Sequence, residues 1–330
     1  MSAWQLTLAV TGLLTTLSAS AWGNLPLIEL IAQVEKNEAL YRNLETIVDS
    51  HYVTAPDKEM LSDTETMDTK HRLHFIRQGE RYRVDQSEES VLIDGSASAS
   101  STIRAFDGSQ VVTRQKDGSV TVSDTPKLAN FSPHQMWVRG VAFVPPLSVW
   151  LSGDDAVTKF TGWDHHVRGY RNEIQSLGTD DVDGLTCHKV RRDRIDLKSG
   201  KPALAELLWV AEDRNYLPIR VYHYRYSWSL DVPIAQTSVE EFRELSPGVW
   251  SPARMTHTKY GPLDSKGLAE RQWQWRATMT IASVSTAPDF PVEHFSEKQV
   301  RSAPQPSPAK GAAQDPSKEP PQDATREQPR

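Results

Sequence analysis

The chain has 330 residues, with 37 Lys and Arg against 43 Asp and Glu, and the resulting net charge of -6 leaves no basic footprint for a nucleic-acid partner. Its 38% hydrophobic and 24% charged residues are enough to bury a sizeable core. The single cysteine, Cys187, excludes an intramolecular disulfide framework and any multi-cysteine zinc or iron–sulfur site, so packing must hold the fold.

No charged side chain precedes Glu29, and the apolar stretch from Trp4 to Leu17 runs into Ser18-Ala19-Ser20-Ala21, the pattern of a secretory signal cut after Ala21. A spanning anchor would need about 20 apolar residues, and Thr11, Thr15, Thr16, Ser18 and Ser20 interrupt the run. An uncleaved tether is the alternative. With no cysteine after the apolar run, a lipid-modified N-terminus is excluded. The expected division is a signal peptide over 1–21, one folded domain over 22–300, and a Pro-rich, disordered tail over 301–330.

From Leu27 to Tyr52 the apolar residues, among them Leu30, Val34, Tyr41, Leu44, Ile47 and Val48, recur at helical spacing, which predicts one amphipathic helix. After Pro56 the period changes to two. Turn signals at Gln78-Gly79-Glu80, Asp107-Gly108, Asp117-Gly118, Asp183-Gly184, Ser199-Gly200, Asp213 to Asn215 and Pro247-Gly248 mark hairpin connections. They delimit expected strands at 67–77, 80–86, 102–107, 109–114, 119–123, 169–178, 185–195, 203–212, 217–228, 234–246, 249–260 and 269–286. In the strand from 217, Ile219, Val221 and His223 alternate with Arg220, Tyr222 and Tyr224. The fold class is therefore mainly β (α+β): a large curved antiparallel sheet, a half-barrel, wrapped around an N-terminal helix.

Asn130 to Trp163 breaks the meander with the most apolar window outside the signal. Ser132-Pro133 has the form of a helix start, and Pro145-Pro146 predicts a second short helix through Leu151 that stops at Gly153. Two short helices placed mid-sheet suggest a cover. Past Arg301 the tail has no Leu, Ile, Val, Met or aromatic residue and cannot offset its own ordering entropy.

The phrases NEALYRNLETI at 37–47, DVDGLTCHKVRRD at 181–193, LLWVAEDRNYLPIRVYHY at 207–224 and EFRELSPGVWSPARM at 241–255 sit in this layout of one helix, a long meander and an apolar interruption. In that layout the chain, from Leu27 to Phe295, resembles the LolA/LolB-like group of bacterial envelope proteins, which includes lipoprotein-sorting carriers, lipid-carrying relatives and regulators of the RseB type. The resemblance implies a half-barrel closed by helices, with an apolar cavity between them. No cargo contact is carried over from the family.

Signatures of bond-making chemistry are missing: the chain has no G-x-S-x-G elbow, Walker A loop, G-x-G-x-x-G, H-E-x-x-H or EF-hand loop. His165 and His166 point to opposite faces of a strand, as do His71 and His74, so surface histidines are the expected reading and no metal site follows. Cys187 reads as a buried structural thiol with His188 turned the other way. Asp180, Asp181 and Asp183 read as a solvated hairpin turn, and Arg191-Arg192-Asp193-Arg194 as exposed charge at a strand end.

The expectation is a non-enzymatic exported protein of the periplasm or cell envelope, without cofactor, binding or carrying a lipid, acyl chain or lipoprotein. Trp137, Phe143 and Trp150 of the insert are the expected cavity-lining residues. The alternative is an RseB-like interaction or sensor domain with a filled core and an envelope protein as partner.

Overall fold

The structure, a computed structural model, describes residues 25–54, 66–92, 95–123, 132–135, 145–161, 169–261 and 273–304. The expected signal, residues 305–330 of the tail, and the His165-His166 pair lie outside the described residues. Helix α1 (Leu27–Glu38) begins after Pro26 and buries Leu30 and Val34, one turn apart. It ends far short of Tyr52. A 3-10 turn over Ala39–Tyr41 follows, and from Leu44 the chain is a strand.

This corrects the expected helix over Leu27 to Tyr52. Leu44, Thr46 and Val48 are buried in alternation along β1 (Leu44–Thr54), and Thr46, Ile47 and Val48 are β-branched. Leu44, Ile47 and Val48 also satisfy a helical spacing. The contest was decided by pairing: Val48 lies opposite Leu73 on one side and Ile281 on the other.

The strands that follow are β2 (Thr66–Gln78), β3 (Arg81–Leu92), β4 (Ala97–Phe106), β5 (Val111–Arg114) and β6 (Val120–Ser123). The second run is β7 (Tyr170–Val182), β8 (Leu185–Asp196), β9 (Pro202–Ala211), β10 (Leu217–Arg225), β11 (Ala235–Ser246), β12 (Val249–Tyr260) and β13 (Trp273–Ser285). Together they form one open 13-stranded sheet in the order β6-β5-β4-β3-β2-β1-β13-β12-β11-β10-β9-β8-β7. Each run is a meander from an edge to the centre, where the first strand pairs antiparallel with the last. The hairpin between β7 and β8 turns on Asp183 and Gly184, with φ of 55° and 79°, the double left-handed geometry that suits a two-residue turn.

A single apolar cluster joins Val111 of β5, Val84 of β3, Val48 of β1, Met279 of β13, Val221 of β10 and Val190 of β8 to Leu30 and Val34. Strands near opposite edges share this cluster, so the sheet curls around α1. We call this the inner face. A register shift at Pro218/Arg220 breaks the simple alternation expected from 217: Val221 joins the inner cluster, while Ile219 packs with Cys187, Trp209 and Val182 in a second one.

Helix α2 (Leu147–Leu151), which matches the expected short helix after Pro146, packs against α1, and α3 (Asp154–Thr161) follows beyond Gly153. At the other expected helix start, Ser132 to Gln135 form a turn closed by the Gln135 N–H on the Ser132 carbonyl, and 136–144 lie outside the described residues. Finally α4 (Glu297–Ser302) lays Val300 over Ile103, Ala105 and Val112. The buried Arg114 donates to the carbonyls of Ala303 and Pro304, so ordered contacts extend four residues past the expected boundary at Val300.

Candidate functional site

The insert connects the two edge strands, β6 and β7, so α2 and α3 lie between opposite ends of the sheet. Two carboxylates hold them. Glu38, the last residue of α1, accepts from the Leu147 N–H at 2.6 Å and the Ser148 hydroxyl at 2.5 Å, supplying the cap that Pro146, with no hydrogen-bonding side-chain group, cannot give. Asp154, at the start of α3, accepts from the Asn172 N–H of β7 at 2.7 Å. Burial pushes the Glu38 carboxyl up to about 7, against the lowering effect of its bonds to Ser148 and Leu147.

The turn Ser132 to Gln135 is seated deep. His134 has no exposed surface; its Nε2–H donates to the Asn215 carbonyl at 2.8 Å and its ring lies edge-on to Tyr41. Burial holds its imidazole down to about 4. Around this seat, buried polar atoms lack partners among the described residues: Ser132 Oγ, His134 Nδ1, both polar atoms of the Gln135 amide, Trp150 Nε1 and Thr158 Oγ1. Such orphans are rare in a settled core, because each costs its full desolvation. Six such atoms lie on the insert, and others are on Asn172, His188, Arg214 and His294.

Beside α2, the inner face carries charge. Arg192 places its guanidinium 4.3 Å from the centre of the Trp150 ring and pairs with Glu206 at 2.9 Å, and Glu206 also faces His223 Nδ1 at 3.3 Å. Farther along, Thr237 meets His257 at 2.7 Å, His257 stacks on Trp275, and Tyr52 stands between Trp275 and His71. Burial, with the charge of His223 second, holds His257 down to about 4. Thus the floor under α1 is apolar, whereas the row running across β2, β1, β13, β12, β11, β10, β9 and β8 is polar and aromatic.

A cavity of about 430 Å³ opens where the end of α1, the β2–β3 hairpin, Ser132, α2 and α3 converge. Its wall is mixed: Glu35, Arg42, Arg77 and Glu80 contribute charge, while Val149 and Phe160 are apolar.

Of the three expected lining residues, Trp150 is described. It is 6% exposed and belongs to the inner cluster. Trp137 and Phe143 lie outside the described residues. Arg192 corrects the reading of 191–194 as exposed charge: it is buried on the inner face against Trp150 and Glu206, while Arg191 points outward and pairs with Asp193. Cys187 is fully buried, and burial pushes its thiol up to about 12, far from a reactive thiolate. His71 and His74 do part to opposite faces, His71 against Tyr52 and His74 against Glu45. Asp181 caps the Gly184 N–H in the β7–β8 turn. Among the described residues no group of three or more His, Cys, Asp and Glu side chains could hold a metal ion. Glu38, His134 and Glu206 escaped the sequence reading, since their partners lie on other elements, Leu147 for Glu38, Asn215 for His134 and Arg192 for Glu206, and nothing local marks them.

No family model and no curated sequence matches the chain. Among solved structures, a DUF1329 family protein from Desulfovibrio piger is similar at 12% identity, over 83% of this chain and 99% of that one, with a TM-score of 0.42. An outer membrane lipoprotein-sorting protein domain from Vibrio parahaemolyticus is similar at 10% identity, over 84% of this chain and 98% of its own, with a TM-score of 0.43. The Mycobacterium tuberculosis lipoprotein LppX is similar at 10% identity, over 80% and 97%, with a TM-score of 0.23.

Proposed function

We propose that the protein is a non-enzymatic envelope carrier, exported by its N-terminal segment, that holds a lipid, an acyl chain or the lipid part of a lipoprotein between the sheet and the insert. The observation that carries this reading is the concentration of unpartnered buried polar atoms on the insert: Ser132, His134, Gln135, Trp150 and Thr158. Each orphaned donor or acceptor lowers what the insert loses by moving aside, as a displaceable cover requires. In this reading Trp150, with Trp137 and Phe143, lines the space that the cargo enters. Cargo affinity comes from apolar burial, about 25 cal/mol per Å² before ordering costs.

The test is paired: thermal unfolding, and displacement of a fluorescent fatty acid, each on the wild type and on Trp150→Ala. A carrier binds the probe, and the variant binds it more weakly with a modest loss of stability. The second reading, an interaction or sensor domain whose partner is another envelope protein, draws on the packed floor where Leu30, Val34 and Leu44 have no exposed surface. There Trp150→Ala costs about 3 to 5 kcal/mol and the wild type binds no probe. Export has its own readout: N-terminal sequencing of the native protein should begin at Trp22, and an intact Met1 in a cytoplasmic fraction would remove it.

A further inference from the structure

We infer that the cavity between α1, the β2–β3 hairpin and α2 is a site for a zwitterionic phosphoethanolamine group, the polar end of a phospholipid. The inference rests on the carrier reading for its source of ligand, and names the headgroup.

The argument begins with charge. Glu35 and Glu80 present carboxylates to the cavity and Arg42 a guanidinium, and among the described residues none of the three makes an ion pair. Arg77, on the same wall, is lowered chiefly by burial, against the opposite pull of Glu80, and the like charge of Arg42, a smaller effect, lowers it further. Two guanidiniums in each other's field are relieved by one shared oxyanion, since their planar forks suit phosphate oxygens. A pure anion would also meet Glu35, Glu38 and Glu80. A pure cation would meet both arginines. A ligand carrying both signs satisfies both sets, with its ammonium toward Glu35 and Glu80 and its phosphate toward Arg42 and Arg77.

A second observation points the same way. Ser132 is 5% exposed, its Oγ has no partner among the described residues, and it lines this cavity. A buried hydroxyl left unpaired is a defect unless something else binds it, and a phosphate oxygen is such an acceptor. The apolar part of the wall, Val149 and Phe160 on α2 and α3, gives the attached chains a way under the cover.

The experiment titrates the purified full chain with dihexanoyl phosphatidylethanolamine, dihexanoyl phosphatidylglycerol and free phosphoethanolamine, and separately with the fluorescent fatty acid. Phosphatidylethanolamine should bind at least about tenfold tighter than phosphatidylglycerol, and free phosphoethanolamine should displace it. Arg42→Gln and Glu80→Gln, both at exposed positions where folding is not at stake, should each weaken that binding about tenfold, the worth of one charge-assisted hydrogen bond, and leave fatty-acid binding unchanged. Equal or tighter binding of phosphatidylglycerol overturns the inference. So does phosphatidylethanolamine binding that is indifferent to both variants. If the fatty acid binds and no headgroup preference is found, the headgroup site falls and the carrier stands; if phosphoethanolamine binds and the fatty acid does not, the site stands and the acyl-carrier reading falls.

Discussion

Asn215 sits at the left-handed corner between β9 and β10, with φ of 53°, and ties three segments together. Its side-chain amide donates to the Gly248 carbonyl at 2.7 Å and to Asn37 at 3.2 Å, it accepts from the Trp250 N–H at 2.7 Å, and its own carbonyl receives His134. Asn215→Ala should therefore cost about 2 to 4 kcal/mol in chemical denaturation, from lost bonds and left-handed strain, and Asn215→Gly should recover only the strain. Equal costs would mean that the left-handed strain contributes nothing, and a glycine variant as stable as the wild type would mean that the side-chain bonds contribute nothing. The buried titratable groups make opposed demands on pH. His134 and His257, both held down to about 4 mainly by burial, are neutral in the fold, whereas the unfolded chain takes up their protons near the ordinary value. The stability they permit is present above about 6.5 and is lost as pH falls toward 4, at most about 3 kcal/mol for each. Glu38, pushed up to about 7 from 4.5, runs the other way: its contribution is complete below 4.5 and is lost as pH rises through 7. Glu38→Gln removes that titration, so its urea midpoint relative to wild type should be higher at pH 8 than at pH 5. A difference that does not change with pH would show that Glu38 does not titrate in this range.

At the scale of elements, β1 is the strand on which the rest depends, because it is the centre of the sheet and its inner side chains meet α1. Leu44→Asp places an unpaired charge at a position with no exposed surface and should prevent folding. Ile47→Asp faces the other side of the strand at a half-buried position and should leave a soluble, folded chain. Circular-dichroism melting of both variants checks the assignment; equal damage would restore a helical reading of 44–48. The C-terminal helix offers a second test. Truncation after Pro304 should leave the melting temperature unchanged, whereas truncation after Ser296 removes Val300 from its seat over Ile103 and Val112, strips Arg114 of two acceptors, and should lower it by several degrees. An undiminished melting temperature in the shorter chain would mean that α4 only rests on the sheet.

For the whole molecule, the seam between β1 and β13 joins segments more than two hundred residues apart, so neither wing of the sheet is complete until the chain ends have met. Long-range pairing of this kind is slow to form and cooperative to lose. Ile281, 1% exposed and opposite Val48, is the point to probe. Ile281→Ala should cost about 2 to 5 kcal/mol, and amide-hydrogen exchange should quicken to the same extent in β3 and in β9. Unequal exchange would mean that the wings unfold as separate units. The same curl sets up the site: it brings Val111 and Val190 into one cluster and makes the insert cross between opposite edges.

What the sequence determined by itself was whatever depends on neighbours along the chain. Asp183-Gly184, Gly248 and Gly79 marked hairpins because left-handed backbone demands those residue types locally, and the strands between them alternate visibly from β2 to β13. Pro146 likewise announced α2. Tertiary structure decided the rest. Leu44, Ile47 and Val48 fit two periods at once, and only β2 and β13 on either side made that segment a strand. Arg192 looked like solvated charge among charges until the β8–β9 register set Glu206 opposite it and the insert laid Trp150 against it. Glu38 became the cap of a helix more than a hundred residues away, and Ser132 the wall of a cavity, because the energy of each comes from partners distant in sequence, which no local pattern records.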